Sequence, residues 1–201
     1  MVGPELPKQS EVTALLSGPT LELVDSPLGR AKQMNCAVNE SNGEYLWFIH
    51  ADSRLSKSAI DRALDLVNPQ AKPQNLNPLY YFDLRFQNDG PFLTILNTVG
   101  VYIRCHILGI PFGDQGFLLS KETFFKLGGF PENSSYGEDH LLIWKAKHLG
   151  IKIISTGNAI YTSARKYRTQ GWAQTTFTHL RLFIKQAWPE ARSLLKERFV
   201  K

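Results

Sequence analysis

GEYLWFIHADSR, residues 43–54, is the stretch whose reading decides the fold. Tyr45 to Ile49 are apolar without alternation, the pattern of a strand buried on both faces, as in a parallel sheet covered by helices. The run breaks at once into His50, Asp52 and Arg54. These polar groups would stand at the carboxyl end of a central strand, the edge where open α/β sheets bind ligands.

Upstream, Lys8 to Leu16 reads as a short helix closed by Gly18 and Pro19, and Thr20 to Val24 as a strand. GRAKQMNCAVNES follows a Ser-Pro-Gly turn and is helical in pattern, with Ala31, Met34, Ala37 and Val38 spaced for one buried face. Downstream, Ser56 or Ser58 can cap a helix whose face carries Ile60, Ala63, Leu64 and Val67. Leu79 to Phe86 alternates as a half-buried strand, and Pro91 to Phe112 reads as a packed helix and loop, with an interfacial role as the minority reading. Gly116 to Leu119 is a short strand; Ser120 caps a helix that Gly128 and Gly129 close. Glu138 to Leu149 is a helix with Leu142, Ala146 and Leu149 inward, followed by the strand IKIIS. Strands alternating with helices predict one α/β domain over residues 1–201 with a mostly parallel sheet flanked by helices. Residues 1–19 form a variable N-terminus and 171–201 a basic, aromatic helical tail.

The composition, 43% hydrophobic and 20% charged, is that of a globular domain and excludes disorder as the main state. Cys36 and Cys105 show no metal spacing and read as small hydrophobes in a reduced protein. The N-terminus has no signal-peptide pattern and the chain has no run of about 18 apolar residues, so a cytoplasmic location is expected. Charge is uneven. From Tyr161 onward nine basic residues face two glutamates, a net +7, while the rest of the chain nets −2. Such a tail suits an anionic neighbour, either a phosphorylated substrate or a membrane surface met peripherally. Nucleic acid is disfavoured, because the basic residues are confined to one end and carry no recognised motif.

Four groups could carry chemistry. Asp52 at a strand end suits a hard cation, Mg²⁺ or Mn²⁺, that brings a phosphate with it, and His50 could join for a softer ion. The plainer reading makes Asp52 a turn cap and His50 a core histidine. Glu138 and Asp139 stand at a helix start, where either the helix dipole or a general-base role accounts for them. Gly29, Arg30 and Lys32 open a helix in the manner of a weak phosphate site or of a solvated turn. The GDQG loop, residues 113–116, places Asp114 and Gln115 between apolar flanks, where polar groups need partners.

In order, GRAKQMN, GEYLWFIHADSRL, GDQGFLLSKETFFKLGGFPE, GEDHLLIWKAKHLG and TSARKY resemble the family 2 glycosyltransferases of GT-A fold. In particular, the sequence resembles the bacterial subgroup with HAD in place of Asp-x-Asp, some of whose members are associated with arsenosugar biosynthesis. The resemblance covers residues 20–188. It implies metal-dependent, inverting transfer of a sugar from a nucleotide-diphosphate sugar to a hydroxyl acceptor. Asp52 would bind the metal, with His50 where relatives carry the motif's first aspartate. Asp139, with Glu138, would supply the base. Arg30, Gln33 and Asn35 would lie near the nucleotide-sugar, Asp114 and Gln115 would border the donor and acceptor pocket, and Arg165 would meet the diphosphate in place of an absent QxxRW motif.

The family's opening strands, with P-x-x-N-E and D-G-x-S-x-D, are not in this sequence. The expectation is a GT-A-like domain shortened at its N-terminus, with an exposed sheet edge that a partner or a second copy covers. The alternative is a catalytically inactive GT-A-like remnant that binds a partner or a membrane through its basic tail. A nucleotidyltransferase would need a glycine-rich loop that is not visible.

Overall fold

The computed structural model describes residues 22–68, 77–134 and 136–199. The elements are α1 (Arg30–Glu40), β1 (Tyr45–Phe48), β2 (Arg54–Leu55), α2 (Lys57–Val67), β3 (Leu79–Phe86), α3 (Thr94–His106), a 3-10 turn (Gly113–Gln115), β4 (Phe117–Ser120), α4 (Lys121–Leu127), α5 (Glu138–His148), β5 (Ile153–Thr162), α6 (Arg165–Thr169) and α7 (Trp172–Phe199). The helix expected over Lys8 to Leu16 lies outside the described residues. Of the strand expected over Thr20 to Val24, the described part, 22–24, is not a strand.

The local stop and start signals act as the sequence predicts. Ser56 Oγ accepts from the Ala59 N–H (3.1 Å) at the head of α2, and Ser120 Oγ accepts from the Thr123 N–H (3.1 Å) at the head of α4. Gly128 ends α4 at φ 71°, a left-handed conformation that favours glycine.

The five strands run in the order β1-β4-β3-β5-β2. The α/β class holds, but the mostly parallel sheet does not: β3 and β5 are parallel, while β1 with β4, β3 with β4 and β5 with β2 are antiparallel. The connection from β3 to β4 explains one reversal. After α3 the chain doubles back along the helix, with the Ile110 N–H donating to the Arg104 carbonyl (3.2 Å) and Arg104 Nη1 donating to the Ile110 carbonyl (2.5 Å). The following strand therefore enters from the end at which β3 left.

β1 is also not central. Among the described residues it pairs with β4 alone, and only Leu46 of its four residues is buried. The central place belongs to β3, which presents Leu79 and Tyr81 to one core and Phe82 to another. On the larger side α1, α4, α5 and α7 pack through Val38, Phe124, Ile143 and Phe183, among others. On the smaller side α2 lays Ala59 and Ala63, with Leu66 and Val67, over Phe82, Leu118 and Ile160. Ala63 and Val67 pack inward as expected, whereas Ile60 and Leu64 are exposed and Ala59 and Leu66 take their places. Leu149, also expected inside, is exposed, and Ala37 lies at the surface of α1. No described helix is long and apolar enough to cross a membrane.

The long α7 is tied into the body by a buried polar chain. Trp144 Nε1 donates to His140 Nε2 (2.8 Å), which leaves His140 Nδ1 to donate to Gln186 Oε1 (3.0 Å); Gln186 Nε2 in turn donates to the Tyr136 carbonyl (2.7 Å). Burial pushes the His140 pKa below its ordinary 6.5. The unfolded chain thus takes up this proton more readily than the folded one, and stability is fully present above about pH 6.5 and lost as pH falls below it. Thermal unfolding followed between about pH 7.5 and pH 5 should show that loss in the wild type and a smaller one in His140→Leu, whose midpoint at pH 7.5 is lower because Trp144 and Gln186 lose a buried partner. Equal slopes in the two proteins would assign the acid sensitivity elsewhere.

Candidate functional site

Four separated segments meet at the first residue of α1. Arg30 stands directly after Gly29, and its guanidinium reaches three partners. Nη1 lies 3.1 Å from Glu138 Oε1, Nη2 lies 4.0 Å from Asp139 Oδ2, and Nη2 donates to His50 Nε2. The Gly113 N–H donates to Asp139 Oδ2 (2.6 Å), and the His140 N–H donates to Asp139 Oδ1 (2.8 Å). Both carboxylates are buried residues of the first turn of α5, where the positive end of the helix favours negative charge. The turn at Gly113 is tight: a Cβ there would lie 2.7 Å from Asp139 Oδ2 and 2.9 Å from Arg30 Nη2.

Asp114 adds a third carboxyl to this neighbourhood. Its Oδ1 is closed to solvent and makes no hydrogen bond with a described residue. Burial pushes its pKa upward and the nearby Asp139 charge adds to that, while Arg104, His50 and Arg30 pull the other way. Arg104 is itself buried, stacked 3.5 Å over the Phe112 ring.

One turn connects this cluster to a cleft. The Ser53 N–H donates to the His50 carbonyl (3.0 Å), so His50 and Asp52 belong to a single reversal of the chain after β1. His50 engages Arg30, whereas Asp52 lines a cleft of about 860 Å³ together with Arg54, Asn88, Asp89, Ser163 and Arg165. Asp52 is exposed, and its carboxylate makes no hydrogen bond or ion pair with a described side chain. Arg165 Nε donates to Ser163 Oγ (3.0 Å) and lies 3.9 Å from Asp89 Oδ2, with three quarters of its side chain exposed.

Two of the expected binding residues have structural partners instead. Asn35 Nδ2 donates to the Phe130 carbonyl and to Glu132 Oε1 (2.9 Å each), and its Oδ1 accepts from the Phe130 N–H (3.0 Å). It holds the chain after α4. Gln115, 1% exposed, donates through Nε2 to the Phe82 carbonyl (3.1 Å) and accepts at Oε1 from Phe112 N–H, Arg104 Nη2 and Cys105 Sγ. Gln115 therefore braces the loop that offers Gly113 and Asp114, and Cys105 is one of its buried partners. Gln33 is exposed on α1.

Asp89 is a member of the cleft that the sequence reading passed over. Ser163 Oγ donates to its Oδ2 (2.6 Å) and the Ala164 N–H to its Oδ1 (2.7 Å), and the Ser163 bond leads in holding its pKa below the usual 3.8. The Asn-Asp-Gly run at 88–90, soon after the end of β3, is the signal that could have marked this turn.

Among the described residues no group of three or more His, Cys, Asp or Glu is placed to hold a metal ion. The described residues therefore do not build a full protein cage. The donor set fits only the mode in which one exposed carboxylate, Asp52, shares a hydrated cation with ligand phosphates. His50 Nε2 is already taken by Arg30. Compared with known proteins, the chain matches no family model and no curated sequence.

The raised pKa of Asp114 has a measurable consequence. Ionised Asp114 costs the folded state stability, a cost present above its raised pKa and gone below about 3.8. Asp114→Asn should therefore raise the thermal midpoint near neutral pH, with the gain fading in acid. A lower midpoint at neutral pH would mean that attraction to Arg104 outweighs burial.

Proposed function

We propose that the protein transfers a sugar from a nucleotide-diphosphate sugar to a hydroxyl acceptor, with inversion at the anomeric carbon. The observation that carries this reading is the convergence of Arg30, His50, Asp114, Glu138 and Asp139, from four separate segments, beside the cleft that holds Asp52 and Arg165. The sequence resemblance to GT-A glycosyltransferases of family 2 supports the same assignment, although the mixed sheet supports only the coarser α/β class.

Asp139 is the base in this scheme. Gly113 N–H and Arg30 fix the orientation of its carboxylate, which takes the proton from the acceptor hydroxyl as the oxygen attacks the anomeric carbon. The bond from that carbon to the diphosphate oxygen breaks, and the electron pair leaves with the diphosphate. Arg165 and Arg54 line the cleft where its negative charge would be met. A divalent cation, held by Asp52 and by the phosphates themselves, would supply further charge neutralisation there. Glu138 keeps Arg30 in place through their 3.1 Å contact and is a positioning residue. Asn35 and Gln115 act at one remove, by holding the loops.

Asp139→Asn should lower turnover by at least about 10²-fold while leaving donor affinity close to that of the wild type. An unchanged rate would remove Asp139 from the role. Calorimetry with UDP- and GDP-sugars should show donor binding that depends on Mn²⁺ and that Asp52→Ala abolishes. Absence of any metal-dependent heat in the wild type would favour a non-catalytic binding domain.

A further inference from the structure

Exposed apolar side chains gather on α3 and on α7. The outer side of α3 exposes Ile95, Leu96, Val99, Tyr102 and Ile103, each about half accessible, and no charged residue of α3 accompanies them, since Arg104 is buried. Phe92, just ahead of the helix, is 84% exposed. On α7, Phe183, Ala187, Ala191 and Leu194 pack against the core. At about 100° per residue, Phe177, Leu180, Ile184, Trp188 and Leu195 fall in the sector beside that core-facing stripe. All five are exposed, Phe177 at 68% and Trp188 at 71%. The two helices meet where Asn97 Nδ2 donates to Thr176 Oγ1 (3.0 Å) and Trp172 Nε1 donates to Asn97 Oδ1 (2.6 Å). Those contact residues lie outside the exposed apolar sectors of the two helices.

The charge on α7 indicates what covers this surface. The sector beyond the apolar one carries Arg181, Lys185, Arg192 and Lys196, all exposed. The acidic residues of α7, Glu190 and Glu197, turn elsewhere: both contact His148 of α5, at 3.4 Å and 2.9 Å. The basic sector is thus uncompensated on its own helix. An exposed apolar stripe with aromatic residues, bordered on one side by Lys and Arg, matches a helix lying in the plane of a membrane interface. A second copy is a poorer fit, because a twofold contact through the same patch would set one basic sector against the other.

We propose that α7 docks the protein on an anionic lipid surface. Phe177, Leu180, Ile184 and Trp188 enter the boundary between headgroups and acyl chains, and Arg181, Lys185, Arg192 and Lys196 meet lipid phosphates and carboxylates. This docking is independent of the sugar-transfer reading.

Co-sedimentation of the full chain with vesicles tests it, using phosphatidylcholine alone and phosphatidylcholine with about 30% phosphatidylglycerol. The expected result is binding to the anionic vesicles at least about 10-fold stronger than to the neutral ones, weakened by salt. Phe177→Ser with Trp188→Ser should lose binding, and Arg181→Glu with Lys185→Glu should lose the preference for anionic lipid, both with wild-type circular dichroism. The four positions are exposed, so the core packing is preserved. Failure of the wild type to bind either vesicle would overturn the proposal. So would binding left intact by both double variants, or a dimer in light scattering that the Phe177 and Trp188 substitutions convert to a monomer.

Discussion

The Arg30 guanidinium is the contact on which the candidate site depends. It joins the start of α1 to the turn after β1 through His50 and to the start of α5 through Glu138 and Asp139. Opposite charges a few ångströms apart attract with about 4 kcal/mol at an effective dielectric of about 20, before desolvation is charged against them. Arg30 is partly exposed, so solvent screens much of that attraction. The buried carboxylates hold their position for further reasons: the helix end beneath them and the Gly113 and His140 N–H groups that Asp139 accepts from. Arg30 adds direction, because a planar fork with several donors can address three partners from one place.

Much of the site was legible because its residue types stand in short motifs at element boundaries. The caps at Ser56 and Ser120, the glycine stop at Gly128 and the helix start at Glu138 follow from local chemistry, which does not depend on the rest of the fold. Strand direction is different in kind. Alternating helices and strands do not record whether a connection returns to the end it left, and the doubling back after α3 is fixed by the contact between Arg104 and Ile110. On α2, Ala59 and Leu66 pack inward where Ile60 and Leu64 are expected, for a different local reason. Ala59 carries little hydrophobic weight in the sequence, yet a small side chain is what lets the helix approach Phe82 and Ile160.

Asn35 and Gln115 mark the limit of motif reading for polar residues. A side-chain amide offers two donors and an acceptor oxygen, and nothing in its sequence position distinguishes one satisfied by the protein's own backbone from one that waits for a ligand. Both turned out to be satisfied internally. Asp52 and Arg165 are the reverse case, since they lie on the wall of the cleft and retain exposed charge.

The clasp between Gln186 and the chain ahead of α5 bears on how separable the parts of the protein are. Gln186 sits midway along α7, holds the Tyr136 carbonyl and, through His140, the first turn that carries Glu138 and Asp139. A side chain at position 137 would run into the same Gln186, so the helix also dictates a glycine there. The C-terminal helix is therefore not a detachable appendage. Shortening the chain ahead of Gln186 would remove a clasp on the carboxylate turn as well as a surface, so no boundary between the carboxylate cluster and the C-terminal helix can be drawn along this sequence.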